Sequence, residues 1–267
     1  MATYLDRILE VHRQAAAADV RPVAELVGCA RGQPPTRGFR AALERTSAEG
    51  SLAVIAEIKR RSPSKGALNI GLDPAVTAAR YESGGAAALS VLTDEEFFGG
   101  RVADLVAARR SVALPVLRKD FTVSVRDVCD ARLMGADAVL LIAAALAPGE
   151  LAELHGCAGE LGLDVLVEVH DEPELEVAVA AGAKLIGVNQ RDLVTFEVDH
   201  ERARRMAALI PASAVKVAES GVRGPDDAAR LRDAGYHAVL VGESVVTASD
   251  PAAAIRGLAV RAPRGGT

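Results

Sequence analysis

The sequence contains no tryptophan, and only 3% of its 267 residues are aromatic. Half of the residues are apolar, so the large core that this length allows must be built mainly from aliphatic and small side chains. Positive charge is not in excess, because the formal net charge is -5 and the basic residues are dispersed apart from short clusters such as 59–61. This balance argues against a nucleic-acid partner.

Cysteine is also rare. Cys29, Cys129 and Cys157 are odd in number and lack CxxC spacing, which predicts small packing residues in a reducing compartment and no structural disulfide. No His or Cys cluster has the spacing of metal ligands, so we predict no metal.

Long apolar runs are missing. The longest run, 138–147, is too short to cross a bilayer, and the N-terminus carries Asp6, Arg7 and Glu10 where a signal peptide would have an apolar core. We therefore expect a cytoplasmic protein without a membrane partner.

What the sequence does contain is an alternation of short aliphatic runs with helical segments. Runs of strand length cover 53–59, 86–93, 114–120, 136–143, 164–169, 185–189, 215–220 and 238–242. Helix signals stand between several of them, such as Asp73-Pro74 before a run to Ser83. Eight β-then-α units predict an α/β fold, a single closed (β/α)8 TIM barrel. An open doubly wound sheet is the alternative, but no GxGxxG follows the first strand.

A weak internal repeat supports the barrel. A helix end followed by glycine, a small residue and a strand recurs as GGAAALSV, MGADAVLL, AGAKLIGV and AGYHAVLV. The repeats lie roughly 50 residues apart, which is the length of two βα units. Glycines that only cap these helices would produce the same pattern, and both interpretations give the same fold.

The first 50 residues stand outside this alternation. Residues 4–18 have apolar positions with charges between them, which predicts an amphipathic helix, and GQPPTRG then predicts a loop. Such a helix could cap the bottom of the barrel or reach its mouth. We divide the chain into a helical extension at 1–50 that packs on the barrel, the barrel at 51–260 and a disordered tail at 261–267.

Five of the apolar runs end on charged or amide residues. An ionisable group at the end of a buried strand is costly unless it has a partner or a task. Parallel strands would bring these ends to one mouth, where lysines and carboxylates shift each other's pKa values as general acid and base catalysis requires. A structural ion-pair network would explain any single case, but five together favour catalysis. The residues are Glu57, Lys59, Lys119, Asp120, Glu168, Asn189, Arg191 and Glu219.

Two glycine turns predict a phosphate site. Ser220-Gly221 follows the seventh run, and Gly242-Glu243 follows the eighth just before a new helix. Backbone N–H groups at such helix starts bind phosphate, and in barrels this position is a frequent phosphate site. Glycines that only shape turns would give the same signal.

The residues at these positions resemble a known family, the indole-3-glycerol phosphate synthases of tryptophan biosynthesis. The matching stretches are AEIKRRSPSKG, SVLTDEEFFGG, PVLRKDF, LVEVH, IGVNQRDL, VAESGV and VLVGES, in order from Glu57 to Ser244. The resemblance implies a carbon–carbon carboxy-lyase that closes the ring of 1-(2-carboxyphenylamino)-1-deoxyribulose 5-phosphate to indole-3-glycerol phosphate. It implies loss of carbon dioxide and water, a phosphorylated small-molecule partner and no cofactor.

The resemblance also implies residue roles. Lys119 matches the general acid that polarises the carbonyl, Glu168 a carboxylate that handles protons or stabilises positive charge, and Glu57 and Lys59 the pair of the later dehydration. Asn189 joins this catalytic set, although with Arg191 and Glu219 it also matches residues that hold the substrate's hydroxyls and carboxylate. The predicted substrate-binding residues are Ser62, Phe98, Arg191, Glu219, Ser220, Gly221, Gly242 and Glu243, with Phe98 packing on the aromatic ring.

Four residues need separate interpretation. Gln190 stands where the family often has a second Asn. Because successive side chains of a strand point to opposite faces, Gln190 should point away from the mouth, and so should Asp120. Glu243 fits a phosphate site only if its amide faces the ligand, and we interpret His170 as structural.

Two other functions stay open. A phosphoribosylanthranilate or ProFAR isomerase would share the fold and phosphate end but use another acid–base pair. A non-catalytic scaffold barrel would not need intact strand-end residues. Transient contact with other tryptophan-pathway enzymes is a further expectation.

Overall fold

Eight parallel strands close into a barrel in the computed structural model, which describes residues 3–192 and 194–261. Each strand pairs with its neighbour in the chain, and the last pairs with the first. This confirms the predicted (β/α)8 TIM barrel, so the doubly wound alternative is wrong. The strands are β1 (Ala53–Ile58), β2 (Ala88–Leu92), β3 (Val116–Lys119), β4 (Ala138–Ile142), β5 (Asp164–Val169), β6 (Leu185–Asn189), β7 (Val215–Glu219) and β8 (Ala238–Val241).

Helices surround the barrel and precede it. Asp73 begins one of them by accepting a hydrogen bond from the Val76 N–H, with Pro74 at the first helical position. Glu150 performs a similar role by accepting from the Ala147 N–H at 2.8 Å. The helices are α1 (Tyr4–Ala18), α2 (Val23–Arg31), α3 (Phe39–Ala48), α4 (Pro74–Ser83), α5 (Val102–Ser111), α6 (Val125–Leu133), α7 (Pro148–Glu160), α8 (Glu172–Ala180), α9 (His200–Ala207), α10 (Pro225–Asp233), α11 (Glu243–Val246) and α12 (Pro251–Leu258).

The repeat found in the sequence marks the turns that lead into alternate strands. Gly85, Gly135, Gly182 and Gly235 have φ values of 87°, 91°, 85° and 91°. A residue with a Cβ is strained in this left-handed conformation, so glycine ends each helix before the strand begins.

The N-terminal extension reaches both ends of the barrel. Tyr4 of α1 packs edge-on against Phe97 and Phe196, which lie in the loops after β2 and β6 at the mouth. The Arg37 and Arg40 N–H groups donate to carboxylates at the starts of β4 and β5, at the bottom. Both positions left open by the sequence are therefore occupied, the mouth by α1 and the bottom by α3.

The predicted limits of the extension and barrel, at 1–50 and 51–260, stay a prediction. Residues 262–267 of the predicted tail lie outside the described residues. Cys29, Cys129 and Cys157 are free, and Cys29 is exposed instead of packed. None of the described helices is both long and apolar enough to cross a membrane.

The bottom of the barrel is closed by a buried carboxylate. Asp137, which is 0% exposed, accepts hydrogen bonds from the Arg37 N–H at 2.8 Å, the Val116 N–H at 2.8 Å and the Arg109 guanidinium at 3.0 Å. Asp137 thereby connects four elements at one point: the segment before α3, helix α5, and strands β3 and β4. A buried charge with this many donors is compensated, which makes the bottom a structural site.

Candidate active site

A cavity of about 510 Å³ opens at the mouth, where the carboxyl ends of the strands meet. Its lining includes every catalytic and binding residue that the sequence predicts, although these residues come from positions spread over most of the barrel. They are Glu57, Lys59, Ser62, Phe98, Lys119, Glu168, Asn189, Arg191, Glu219, Ser220, Gly221, Gly242 and Glu243.

Lys119 and Glu168 form the centre of the cavity. The Lys119 Nζ lies 3.4 Å from Glu168 Oε2, and Asn189 Nδ2 donates to Glu168 Oε1 at 3.0 Å. Burial alone would lower the pKa of Lys119, but the carboxylates of Glu168, Glu219 and Glu57 raise it above its ordinary value. Burial opposes the ionisation of Glu168, yet the charges of Lys119 and His170 hold its pKa below the ordinary value. At neutral pH the pair is therefore an ammonium beside a carboxylate.

Glu219 is a second buried carboxyl group, and its pKa is shifted in the opposite direction to that of Glu168. Burial and the nearby Glu168 carboxylate raise its pKa well above the ordinary range. Its Oε1 has no hydrogen-bond partner within the described ranges 3–192 and 194–261. A Cβ at Gly187 on β6 would overlap this oxygen, so the glycine provides the space for the carboxyl group. Glu219 therefore brings into the cavity a buried carboxyl group that binds its proton more tightly than an exposed one does.

Glu57 and Lys59 share one face at the end of β1. Their side chains form an ion pair, with the Glu57 side chain 5% exposed and that of Lys59 17% exposed. A Cβ at Gly242 would overlap the Glu57 carboxylate and lie 3.1 Å from the Lys59 Nζ. The pair thus lies between the central Lys119–Glu168 group and the glycine turn after β8.

The glycine turns after β7 and β8 form a concave backbone surface. Ser220 and Gly221 have φ values of 65° and 73°, so two successive residues adopt the left-handed conformation. The Gln190 Nε2 donates to the Ser220 carbonyl at 2.7 Å and so holds this turn from behind. Successive N–H groups in such a turn, together with the free N–H groups at the start of α11, suit an anion.

The side chain of Glu243 is paired with a lysine of the same cavity. Its Oε1 lies 3.8 Å from the Nζ of Lys65, in the loop that follows β1. Ser62 lies in the same loop, where Arg61–Ser62 pairs antiparallel with Gly66–Ala67. The carboxylate can thus stand beside an anion site with its charge balanced by Lys65.

An aromatic wall faces the charged end of the cavity. Phe98 and Phe121 both line the cavity, with ring centroids 6.2 Å apart and planes tilted by 37°. Phe97 instead packs against Tyr4 and is 7% exposed. The two rings provide the flat apolar surface that an aromatic ligand needs.

Arg191 lies at the rim next to Asn189. Its N–H donates to Asn189 Oδ1 at 3.0 Å, and its guanidinium donates to the Phe196 carbonyl at 3.0 Å. These bonds fix both the amide that contacts Glu168 and the position of a cation at the rim.

The sequence analysis missed further lining residues, of which Phe121, Lys65 and His200 bear most on the chemistry. Phe121 follows Lys119 by two positions, so the alternation that places Lys119 on the mouth would also have found Phe121. Lys65 belongs to the SPSKG loop but carries no strand-end signal. His200 begins α9 and lies against Gly221, a contact that no local pattern indicates.

Three further residues support the site. Asp120 was expected to turn away from the mouth but lies in the cavity lining, where its carboxylate accepts hydrogen bonds from the Arg118 guanidinium and from the Phe121 N–H. His170 lies 3.5 Å from Glu168 and 3.0 Å from Glu174, so it stands beside the Glu168 carboxylate. Gln190, as described above, supports the Ser220 turn.

Known proteins similar to this chain point to one family. A family model described as indole-3-glycerol phosphate synthase matches residues 5–258. The indole-3-glycerol phosphate synthase of Nocardioides sp. is 53% identical over 243 residues, covering 91% of this chain and 87% of the relative. That of Chloroherpeton thalassium is 45% identical over 254 residues, covering 94% and 97%. Indole-3-glycerol phosphate synthase 2 of Streptomyces coelicolor is 50% identical over 239 residues, covering 90% and 91%.

A solved structure supports the fold alone. Thiamine phosphate pyrophosphorylase from Pyrococcus furiosus superimposes with a TM-score of 0.58 at 17% sequence identity, covering 78% of this chain and 93% of that one.

Proposed function

Because this chain belongs to the indole-3-glycerol phosphate synthase family, decarboxylating lyases of tryptophan biosynthesis, we propose that its mouth cavity closes the indole ring. The substrate is 1-(2-carboxyphenylamino)-1-deoxyribulose 5-phosphate, and the product is indole-3-glycerol phosphate. The observation that carries the assignment of roles is the buried Lys119–Glu168 pair, 3.4 Å apart, between an aromatic wall and an anion-binding turn.

Lys119 acts as the general acid of ring closure. An aromatic carbon must attack the ketone carbonyl, and the carbonyl oxygen must receive a proton as negative charge develops on it. The raised pKa of Lys119 keeps the ammonium charged until this moment, because three carboxylates surround it. The role is supported by its place at the end of β3 inside the cavity.

Glu168 serves as the anionic partner of this step. Its lowered pKa keeps it ionised, so it stabilises the positive charge that develops on the anilino group as the aromatic carbon attacks. Asn189 holds one of its oxygens and Lys119 the other, which fixes the orientation of the carboxylate. Loss of carbon dioxide then restores the electron pair to the ring.

Glu57 and Lys59 serve the dehydration that follows. Elimination of water needs one group that protonates the departing hydroxyl and another that takes a proton from the intermediate. A carboxylate and an ammonium paired at the end of β1 supply both functions. Glu219 contacts a substrate hydroxyl through its carboxyl group, a role supported by the lack of a hydrogen-bond partner for its Oε1 among the described residues.

The two ends of the cavity bind the two ends of the substrate. The backbone at Ser220, Gly221, Gly242 and Glu243 holds the phosphate, with Lys59 adding positive charge. Phe98 packs on the substrate's aromatic ring beside Phe121, while Arg191 and Ser62 contact its polar groups.

We also propose a cytoplasmic location and transient contact with other enzymes of the pathway, which fractionation and crosslinking in cells would test.

The absence of tryptophan provides a direct test of the activity. Purified protein mixed with the anilino-deoxyribulose phosphate should produce indole fluorescence against little background from the protein itself. Carbon dioxide should be released in equal amount. If folded protein and verified substrate give no fluorescence, the assignment is wrong.

A further inference from the structure

Helix α1 contacts the same loops that carry the aromatic wall. The His12 Nε2 lies 2.9 Å from Asp94 Oδ2 and 3.9 Å from Asp120 Oδ1, and its ring packs on Phe121 with centroids 5.4 Å apart. Asp94 follows β2, and Asp120 follows Lys119 directly. A single side chain of the extension therefore joins the ends of two barrel strands.

The two aspartates hold the backbone from which the aromatic wall projects. Asp94 Oδ1 accepts hydrogen bonds from the Phe97 N–H at 2.7 Å and the Phe98 N–H at 3.1 Å. Asp120 Oδ1 accepts from the Phe121 N–H at 2.9 Å. A displacement of either carboxylate would therefore move a ring that lines the cavity.

A metal ion suits this cluster less well than a proton does. One potential ligand atom from each of His12, Asp94 and Asp120 lies within 4.8 Å of the others. However, the oxygens already accept the backbone hydrogen bonds described above, and Asp120 Oδ2 also accepts from the Arg118 guanidinium at 3.0 Å. A metal would have to displace these donors and tolerate the charge of Arg118.

The charges around His12 favour its protonated form. The ionisable groups that face it are Asp94 from the end of β2, Asp120 from the end of β3 and Asp127 from α6, with Arg118 on β3 paired to Asp120. Among the described residues, Asp94 meets no other cation within 4.0 Å. Burial lowers the pKa of His12, but the hydrogen bond to Asp94 and the charge of Asp120 outweigh it and raise the pKa.

We infer that His12 is a positioning residue for the reaction: its imidazolium holds Asp94 and Asp120, which fix Phe98 and Phe121 against the substrate's aromatic ring. This inference rests on the proposed function, since it assumes that the ring lies on that wall. The charge on His12 is fully present below about pH 6.5, and its contribution to the contact is lost as the pH rises through the raised pKa of His12. Substrate binding should weaken over the same pH interval.

The test compares three variants with wild type between pH 6 and pH 9. His12→Asn removes the charge, His12→Lys keeps a charge that does not titrate in this interval, and His155→Asn makes the same exchange on α7 away from the cavity. At pH 6 we expect KM of His12→Asn to be about fivefold to tenfold above wild type, with kcat nearly unchanged. Its KM should stay flat with pH, whereas KM of wild type and His155→Asn should rise.

His12→Lys separates positioning from simple packing. Because lysine stays charged, its KM should remain near the low-pH value of wild type over the whole interval. A purely structural His12 would lower the melting temperature of His12→Asn without changing the pH profile of KM, and that result would overturn the inference. If His12→Asn does not fold, a KM of His12→Lys that rises with pH as in wild type has the same meaning. Inactive wild-type protein would instead reject the proposed function.

Discussion

At the bottom of the barrel Asp137 is fully buried and both of its oxygens accept hydrogen bonds, whereas at the mouth Glu219 is 2% exposed and one oxygen has no partner among the described residues. The two groups have the same chemistry and nearly the same burial. They differ in what the neighbouring chain supplies, which is donors at the bottom and further carboxylates at the mouth. Hydrogen-bond donors thus compensate the buried carboxyl group at the bottom, whereas the one at the mouth keeps an unpartnered oxygen that a substrate can use.

The lysines follow the same division. Lys216, near the start of β7, donates to the Ala207 carbonyl, and no carboxylate of the described residues forms an ion pair with it. Lys119, at the end of β3, lies among three carboxylates and lines the cavity. The end of the strand on which an ionisable group lies therefore indicates its role.

The largest expected effect is on turnover at the mouth. Lys119→Met and Glu168→Gln each remove one group that transfers a proton or stabilises charge, so kcat should fall by about 10²- to 10⁴-fold while the circular dichroism spectrum is unchanged. Lys216→Met is the matched control at the bottom and should keep wild-type kcat. A control that loses as much activity as Lys119→Met would show that the two ends do not differ in function.

The next effect is on stability at the bottom. Asp137→Ala leaves the Arg109 guanidinium and two backbone N–H groups without their acceptor, so the free energy of unfolding should fall by about 3 kcal/mol or more. The value of kcat/KM for the protein that remains folded should change less than twofold. Urea denaturation combined with the fluorescence assay measures both quantities.

A suitable control is Asp233→Asn, because Asp233 is exposed on α10 and paired only with its neighbour Arg232. Its free energy of unfolding should stay within about 0.5 kcal/mol of wild type. If Asp137→Ala retains full stability but loses activity, the proposed division between a structural bottom and a functional mouth is wrong.

The smallest effect concerns Glu219 and depends on pH. A carboxyl group with a raised pKa in the folded protein binds a proton more tightly there than in the unfolded chain, so wild type loses stability as the pH rises above about 4.3. Glu219→Gln cannot ionise, and each pKa unit of the difference is worth about 1.4 kcal/mol. The melting temperature of Glu219→Gln relative to wild type should therefore increase with pH, although its activity is reduced.

Glu44→Gln provides the reference for this series, because Glu44 is paired with Arg40 on the surface of α3. Its melting curve should follow that of wild type at every pH. A Glu219→Gln variant that loses stability relative to wild type as the pH rises would mean that Glu219 is ionised in the folded protein.

Most of the barrel and its site could be predicted because their signals are local. The eight strands are continuous aliphatic runs, and a charged residue at the end of such a run is an anomaly that one strand reveals by itself. The helix at Tyr4–Ala18 has its pattern within 15 residues. The site residues still await the mutational tests.

The features that could not be predicted from the sequence are contacts between residues that are far apart in the chain. The hydrogen bond of His12 to Asp94 spans 82 positions, and that of Arg37 to Asp137 spans 100. Neither partner is unusual in its own segment, so no local pattern distinguishes it. For the same reason the sequence left open which end of the barrel the extension occupies.

The route of the N-terminal extension has a consequence for synthesis of the protein. Its anchors are made long after it: Arg13 binds Glu150, the Arg37 N–H binds Asp137, and the Arg40 N–H binds Asp164. On the ribosome, α1 and α3 therefore emerge before the barrel strands but cannot dock until β5 has left the exit tunnel. The extension is translated before the barrel strands that anchor it, so it is among the last segments to find its native contacts, and its docking joins both ends of the barrel.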